Sequence, residues 1–87
     1  PKKARILRGQ FRSYSLILSL DNGEVRDVTL SNATTFTEDG RGKMTGPNKS
    51  IYQALPTGTE TVTIVGTWAK DGHNLSDDAI LDVVKVL

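Results

Sequence analysis

Between Thr61 and Trp68 the chain reads TVTIVGTW, and its apolar residues return at every second position. Val62, Ile64, Gly66 and Trp68 share one side of such a segment, and Thr61, Thr63, Val65 and Thr67 share the other. A period of two is the signature of a strand, because successive side chains of an extended backbone point to opposite faces. Asp71-Gly72 follows, a dipeptide that accepts the positive φ angles of a tight hairpin. The same grammar occurs earlier. SLILSL, residues 15–20, sets Leu16, Leu18 and Leu20 on one face, and Asn22-Gly23 comes next as a second hairpin signal, read as a type I′ turn.

The remaining segments extend the all-β reading. Residues 4–14 alternate Ile6, Leu7 and Phe11 with arginines around Gly9, where a bulge or sharp coil is expected. The return strand 24–30 is expected to turn Val28 and Leu30 inward against the leucine row, and SNATTFT continues extended with Phe36 as its large apolar anchor. Residues 38–50, rich in glycine and charge, read as a mobile loop. PNKSIYQALP reads as a short helix, with Pro47 in its first turn, Ile51 and Leu55 four residues apart, and Pro56 as its stop. AILDVVKVL closes the chain as a terminal strand.

The order is therefore three strands, a short helix, and two more strands. It resembles the OB-fold, a five-stranded Greek-key barrel with one short helix between strands 3 and 4. The resemblance rests on element order, the glycine of the first strand and the helix position, across Arg5 to Val86. Residues 1–87 are expected to form one such domain, with residues 1–3 a frayed terminus. Other small barrels are the runner-up; a sandwich would call for seven short strands.

Charge narrows the function classes. The net charge is only +1, yet residues 1–49 hold nine Lys/Arg against five Asp/Glu, and residues 50–87 hold two against five. A polarised domain of this kind can turn a basic face to an anionic partner. The OB-fold resemblance implies single-stranded DNA or RNA, bound on strands and loops near 13–15, 38–50 and 70–78. Cations that follow phosphates and rings on which bases stack are what single-strand binding requires. The expected set is Arg8, Arg12, Tyr14, Arg26, Phe36, Arg41, Lys43 and Lys49. In strand one, Arg8, Gln10, Arg12 and Tyr14 are read as outward and Leu7 and Phe11 as inward. Trp68 is assigned to the core or barrel end, and Tyr52 to a half-buried place on the helix. The alternative from a different class is a protein-docking or assembly module, homo-oligomer included, that uses a strand edge and the charge polarity.

Catalysis and cofactors are not expected. His73 is the single histidine, at a hairpin tip, with turn aspartates that make a weak metal site. GRGKMTG lacks the spacing of a nucleotide-binding phosphate loop. LPTGT departs from a wall-sorting signal by one position, and the Asn-X-Ser/Thr triplets at Asn32, Asn48 and Asn74 are read as coincidence in a Ser/Thr-rich chain. The absence of cysteine fits a reducing compartment, so a cytoplasmic location is expected although secreted domains also do without it. Apolar runs such as Leu16-Ile17-Leu18 are too short to span a membrane.

Overall fold

The computed structural model describes residues 2–85. They contain nine strands: β1 Lys3–Leu7, β2 Phe11–Ser13, β3 Ile17–Ser19, β4 Val25–Asp27, β5 Thr34–Glu38, β6 Lys43–Thr45, β7 Ile51–Gln53, β8 Glu60–Lys70 and β9 His73–Val84. The class is all-β. The strands form a four-stranded sheet in the order β1-β9-β8-β5, a three-stranded sheet β2-β7-β6 and a two-stranded ribbon β3-β4. These sheets do not close into one barrel, so the expected five-stranded OB-like barrel gives way to packed open sheets.

The β8–β9 hairpin is the frame. Its turn, Asp71-Gly72, has φ of 52° and 82°, as a two-residue I′ connection demands. Val62 pairs with Leu81 and Glu60 with Val83, and the alternation turns Val62, Ile64, Leu81 and Val83 into the interior. Against them pack Tyr52 and Ala54 from the β7 side, with Ala4, Ile6, Phe36 and Met44 at the margins. β1 lies parallel to β9, from Lys3 opposite Ile80 to Leu7 opposite Val84. Of the residues 1–3 expected to fray, Lys3 is paired with Ile80 and the Lys2 carbonyl accepts the Ile80 N–H, whereas Pro1 lies outside the described residues.

Gly9, at φ 83°, is where the chain changes sheets. The Arg8 N–H donates to the Val84 carbonyl at 2.8 Å, and the Gly9 N–H donates to the Leu55 carbonyl at 2.8 Å. The expected bulge is therefore a crossing from β9 to β7. Even-numbered positions face inward on both sides of it: Ala4 and Ile6 before, Arg12 and Tyr14 after. Leu7 and Phe11 point outward, Phe11 with 58% of its surface exposed, which reverses the expected parity of the first strand. Leu16, Leu18 and Leu20 continue the even-numbered row and are half-buried.

The Asn22-Gly23 hairpin forms, with a different turn. Only Gly23 has positive φ, and its N–H donates to the Leu20 carbonyl while the Leu20 N–H donates to the Glu24 carbonyl. This is a type I turn followed by a left-handed glycine, the three-residue alternative to I′. Asn22 favours it by accepting the Glu24 N–H at 3.0 Å. Beyond Asp27 the strand stops. Thr29 becomes the buried residue and Leu30 stays 66% exposed, contrary to the expected inward leucine.

The expected helix is absent. Pro47–Lys49 make a single 3₁₀ turn, and Ile51–Gln53 are strand β7. Asn48 and Lys49 adopt left-handed φ of 48° and 51°, which no α-helix admits. The Asn48 amide compensates by donating to three carbonyls, of Thr29 at 2.8 Å and of Ser31 and Thr34 at 3.1 Å. Tyr52, on the strand that replaces the helix, is fully buried instead of half-buried. Nor is 38–50 a structureless loop, since β6 lies within it. Its turn is tied down by Tyr52, whose hydroxyl donates to Glu60 Oε2 at 2.6 Å and accepts the Gly42 N–H at 2.9 Å. Burial, then the Glu60 bond, raise the Tyr52 phenol pKa well above its ordinary value; the Gly42 N–H works against them. No helix among the described residues is long and apolar enough to cross a membrane.

Candidate docking groove

The hydrogen-bonding capacity of β9 is only partly used. The Ile80 N–H donates to the Lys2 carbonyl at 2.6 Å, so residue 80 faces β1. Alternation along the strand turns the backbone groups of Asn74, Ser76 and Asp78 the same way. β1 reaches only Ile80, and among the described residues no strand pairs with β9 on that side over His73–Ala79. The Asp78 N–H is taken by Asp77 Oδ1 at 2.9 Å. Asn74 and Ser76 keep outward backbone groups with no partner strand.

The ribbon β3-β4 shapes the space beside this edge. Its leucine row faces the outer half of the hairpin and leaves a cavity of about 220 Å³ walled by Leu16, Leu18, Val28, Trp68 and Leu75. A second cavity, of about 420 Å³, shares Leu16, Ile17 and Asp77 with the first and extends to Arg12, Tyr14 and Phe36. Lys2 stands at its rim, with Nζ 2.8 Å from Asp77 Oδ1 and 3.7 Å from Asp78 Oδ1. The Lys2 contact is the main cause of a lowered Asp77 pKa, and Asp77 in turn raises that of Lys2. All three side chains are well exposed, so the pair stabilises the fold only weakly. Together the cavities trace a groove between residues 12–19 and the free edge of β9. Leu75 and Ile17, each half exposed, stand along it.

Three of the eight residues expected at a nucleic-acid face meet here. Arg12, Tyr14 and Phe36 line the larger cavity. Arg12 lies 5.9 Å from the Tyr14 ring centroid, within cation–π range. Burial raises the Tyr14 phenol pKa, partly offset by the Arg12 charge and by a side-chain hydrogen bond with Arg12. The other five lie elsewhere. Arg8 is at the sheet crossing, and Arg26 pairs with Glu24 at 3.1 Å on the ribbon. Arg41 donates to the Thr57 carbonyl and lies over Gly58. Lys43 sits on β6 opposite Gln53, which in turn faces Phe11, and Lys49 belongs to the 3₁₀ turn. The expected loops divide likewise: 13–15 and 77–78 border the larger cavity, whereas 38–50 lines neither.

The sequence matches no protein-family model and no curated protein. The site stands on its own geometry. Among the described residues no group of three His, Cys, Asp or Glu side chains is placed to hold a metal. Of the groove residues, sequence reasoning did not single out Lys2, and it named Asn74, Leu75 and Ser76 only collectively, within the segment 70–78. Leu75 carried a signal, as the one apolar residue in GHNLSDD.

Proposed function

We propose that this chain is a non-enzymatic protein-docking module that takes an extended polypeptide segment alongside β9 by strand addition. The observation that supports it is the free edge at Asn74 and Ser76 running beside an apolar cavity. Main-chain bonds to such an edge supply affinity, and side-chain pockets beside it supply selectivity. An apolar side chain of the segment enters between Leu18, Trp68 and Leu75. Fully burying one such side chain contributes about 1.5–3 kcal/mol, and each net ladder bond about 0.5–1.5 kcal/mol. With the four backbone groups of Asn74 and Ser76 the central values sum to about 6 kcal/mol, short of the roughly 8 kcal/mol of a micromolar complex even before the cost of association. A short free peptide therefore binds weakly, and tight docking needs a longer or tethered segment.

The test is Ser76→Pro. Residue 76 turns its N–H away from β8, so proline there spares the hairpin ladder and removes only the outward donor. Panning a library of displayed extended peptides on the unaltered chain should yield binders that slow amide exchange at Asn74 and Ser76. Ser76→Pro should lose them while keeping its thermal midpoint. Binders that protect neither amide, or that bind the variant equally, would refute strand addition.

Single-strand nucleic-acid binding remains the second reading, supported by the meeting of Arg12, Tyr14 and Phe36 at one cavity. Asp77 and Asp78 in the wall of the same cavity and the dispersal of the other cations weigh against it. Salt separates the two. Phosphate binding weakens steeply as salt rises, whereas docking on an apolar edge is nearly insensitive.

A further inference from the structure

Arg12 occupies an unusual place. It sits on the inward face of the three-stranded sheet, opposite Tyr52, which in turn faces Met44. Among the described residues its buried Nε has no hydrogen-bond partner, and the buried hydroxyl oxygen of Tyr14 has none beyond the Arg12 guanidinium beside it. No carboxylate of the described residues lies within 4.0 Å of the guanidinium; Asp77 and Asp78, on the same cavity, are engaged by Lys2. Withdrawing a charged donor from water without a partner is costly, and so is an unsatisfied buried hydroxyl. A neutral hydroxyl leaves the guanidinium charge unmatched, so what the described residues lack at this cavity is an anionic acceptor shared by Arg12 and the Tyr14 O–H.

We propose that Arg12 and Tyr14 form a carboxylate receptor, which an Asp or Glu side chain of a docked segment occupies. The inference rests on the strand-addition reading for the origin of that carboxylate. A carboxylate is planar and monoanionic, and it accepts two parallel N–H bonds from a guanidinium. The Tyr14 hydroxyl adds a third donor, and its raised pKa keeps it protonated at neutral pH. A phosphate dianion matches less well, because the aspartates of the same cavity oppose a second negative charge. The groove then reads two features of its partner: an apolar side chain between Trp68 and Leu75, and an acid towards Arg12.

Butyrate, a carboxylate on a short apolar tail, tests the receptor without any strand. Titrated into the chain, it should shift the Arg12 Nε–Hε resonance to saturation, while butanamide, its neutral counterpart, should not. Tyr14→Phe should weaken butyrate by about 12- to 160-fold, one hydrogen bond to a charged acceptor, and Arg12→Gln should abolish it. An Arg12 resonance unmoved by butyrate overturns the proposal, as does inorganic phosphate binding more tightly than butyrate. Should Arg12→Gln not fold, the Tyr14→Phe comparison decides alone: an unchanged butyrate affinity refutes the receptor. Failure of strand addition is read separately, since Ser76→Pro leaves this cavity in place and must still bind butyrate.

Discussion

Asn48 shows how much one side chain can hold. Its amide reaches three carbonyls, two in the segment after β4 and one at the start of β5, and its left-handed backbone breaks the helix that the surrounding sequence suggests. Asn48→Ala removes those donors and puts a Cβ with no local hydrogen bond into a left-handed conformation. It should cost about 3–4 kcal/mol, from two N–H donors at about 1 kcal/mol each and a backbone penalty of about 1–2 kcal/mol. Asn48→Gly keeps the backbone freedom and loses only the amide, so it should be the milder change. Urea denaturation of the two variants measures the difference, and equal losses would mean that the backbone conformation adds nothing. None of this was visible locally, because the three acceptors lie 14 to 19 residues away in sequence. The same holds for Arg12 and Tyr14. Phe11, as the apolar neighbour, claimed the inward side on composition, whereas the leucine row that fixes the parity begins only at Leu16.

At the scale of elements, the hairpins were legible and the long-range pairings were not. Asp71-Gly72 and Gly23 announce their turns through positive φ angles that few residues adopt, although at Asn22 the type of turn differs from the one expected. The parallel contact of β1 with β9 joins residues some 77 apart, and no local pattern encodes it. Its near end depends on charge. Asp77 is held below the ordinary 3.8 and Lys2 above the ordinary 10.5, so each favours the folded pairing between those limits. The Asp77 contribution is present above 3.8 and disappears as the pH falls through its lowered folded value; the Lys2 contribution disappears as the pH rises through its raised one. Amide exchange at Ile80, normalised for intrinsic rate, should therefore accelerate at acid pH before the β8–β9 core opens. The Asp77→Asn protein should show the faster rate already at neutral pH. An Ile80 amide indifferent to both changes would show that the ion pair does not hold this end of β1.

The whole molecule is long for its mass, 47 × 21 × 17 Å, because β8 and β9 run past their neighbours. Period and turn chemistry sufficed for the class, yet how the sheets stack depends on Gly9, where one strand serves two sheets in turn. That crossing leaves β1 beside β9, five residues paired side by side and running in the same direction. Tension applied between the start of β1 and the finish of β9 would drag these ribbons lengthwise past one another, stressing all their cross-links at once. Opening the hairpin from its tip would instead part them in succession. Single-molecule stretching along the first direction should thus meet a higher rupture force than stretching across the hairpin, because the first pull loads every β1–β9 bond together.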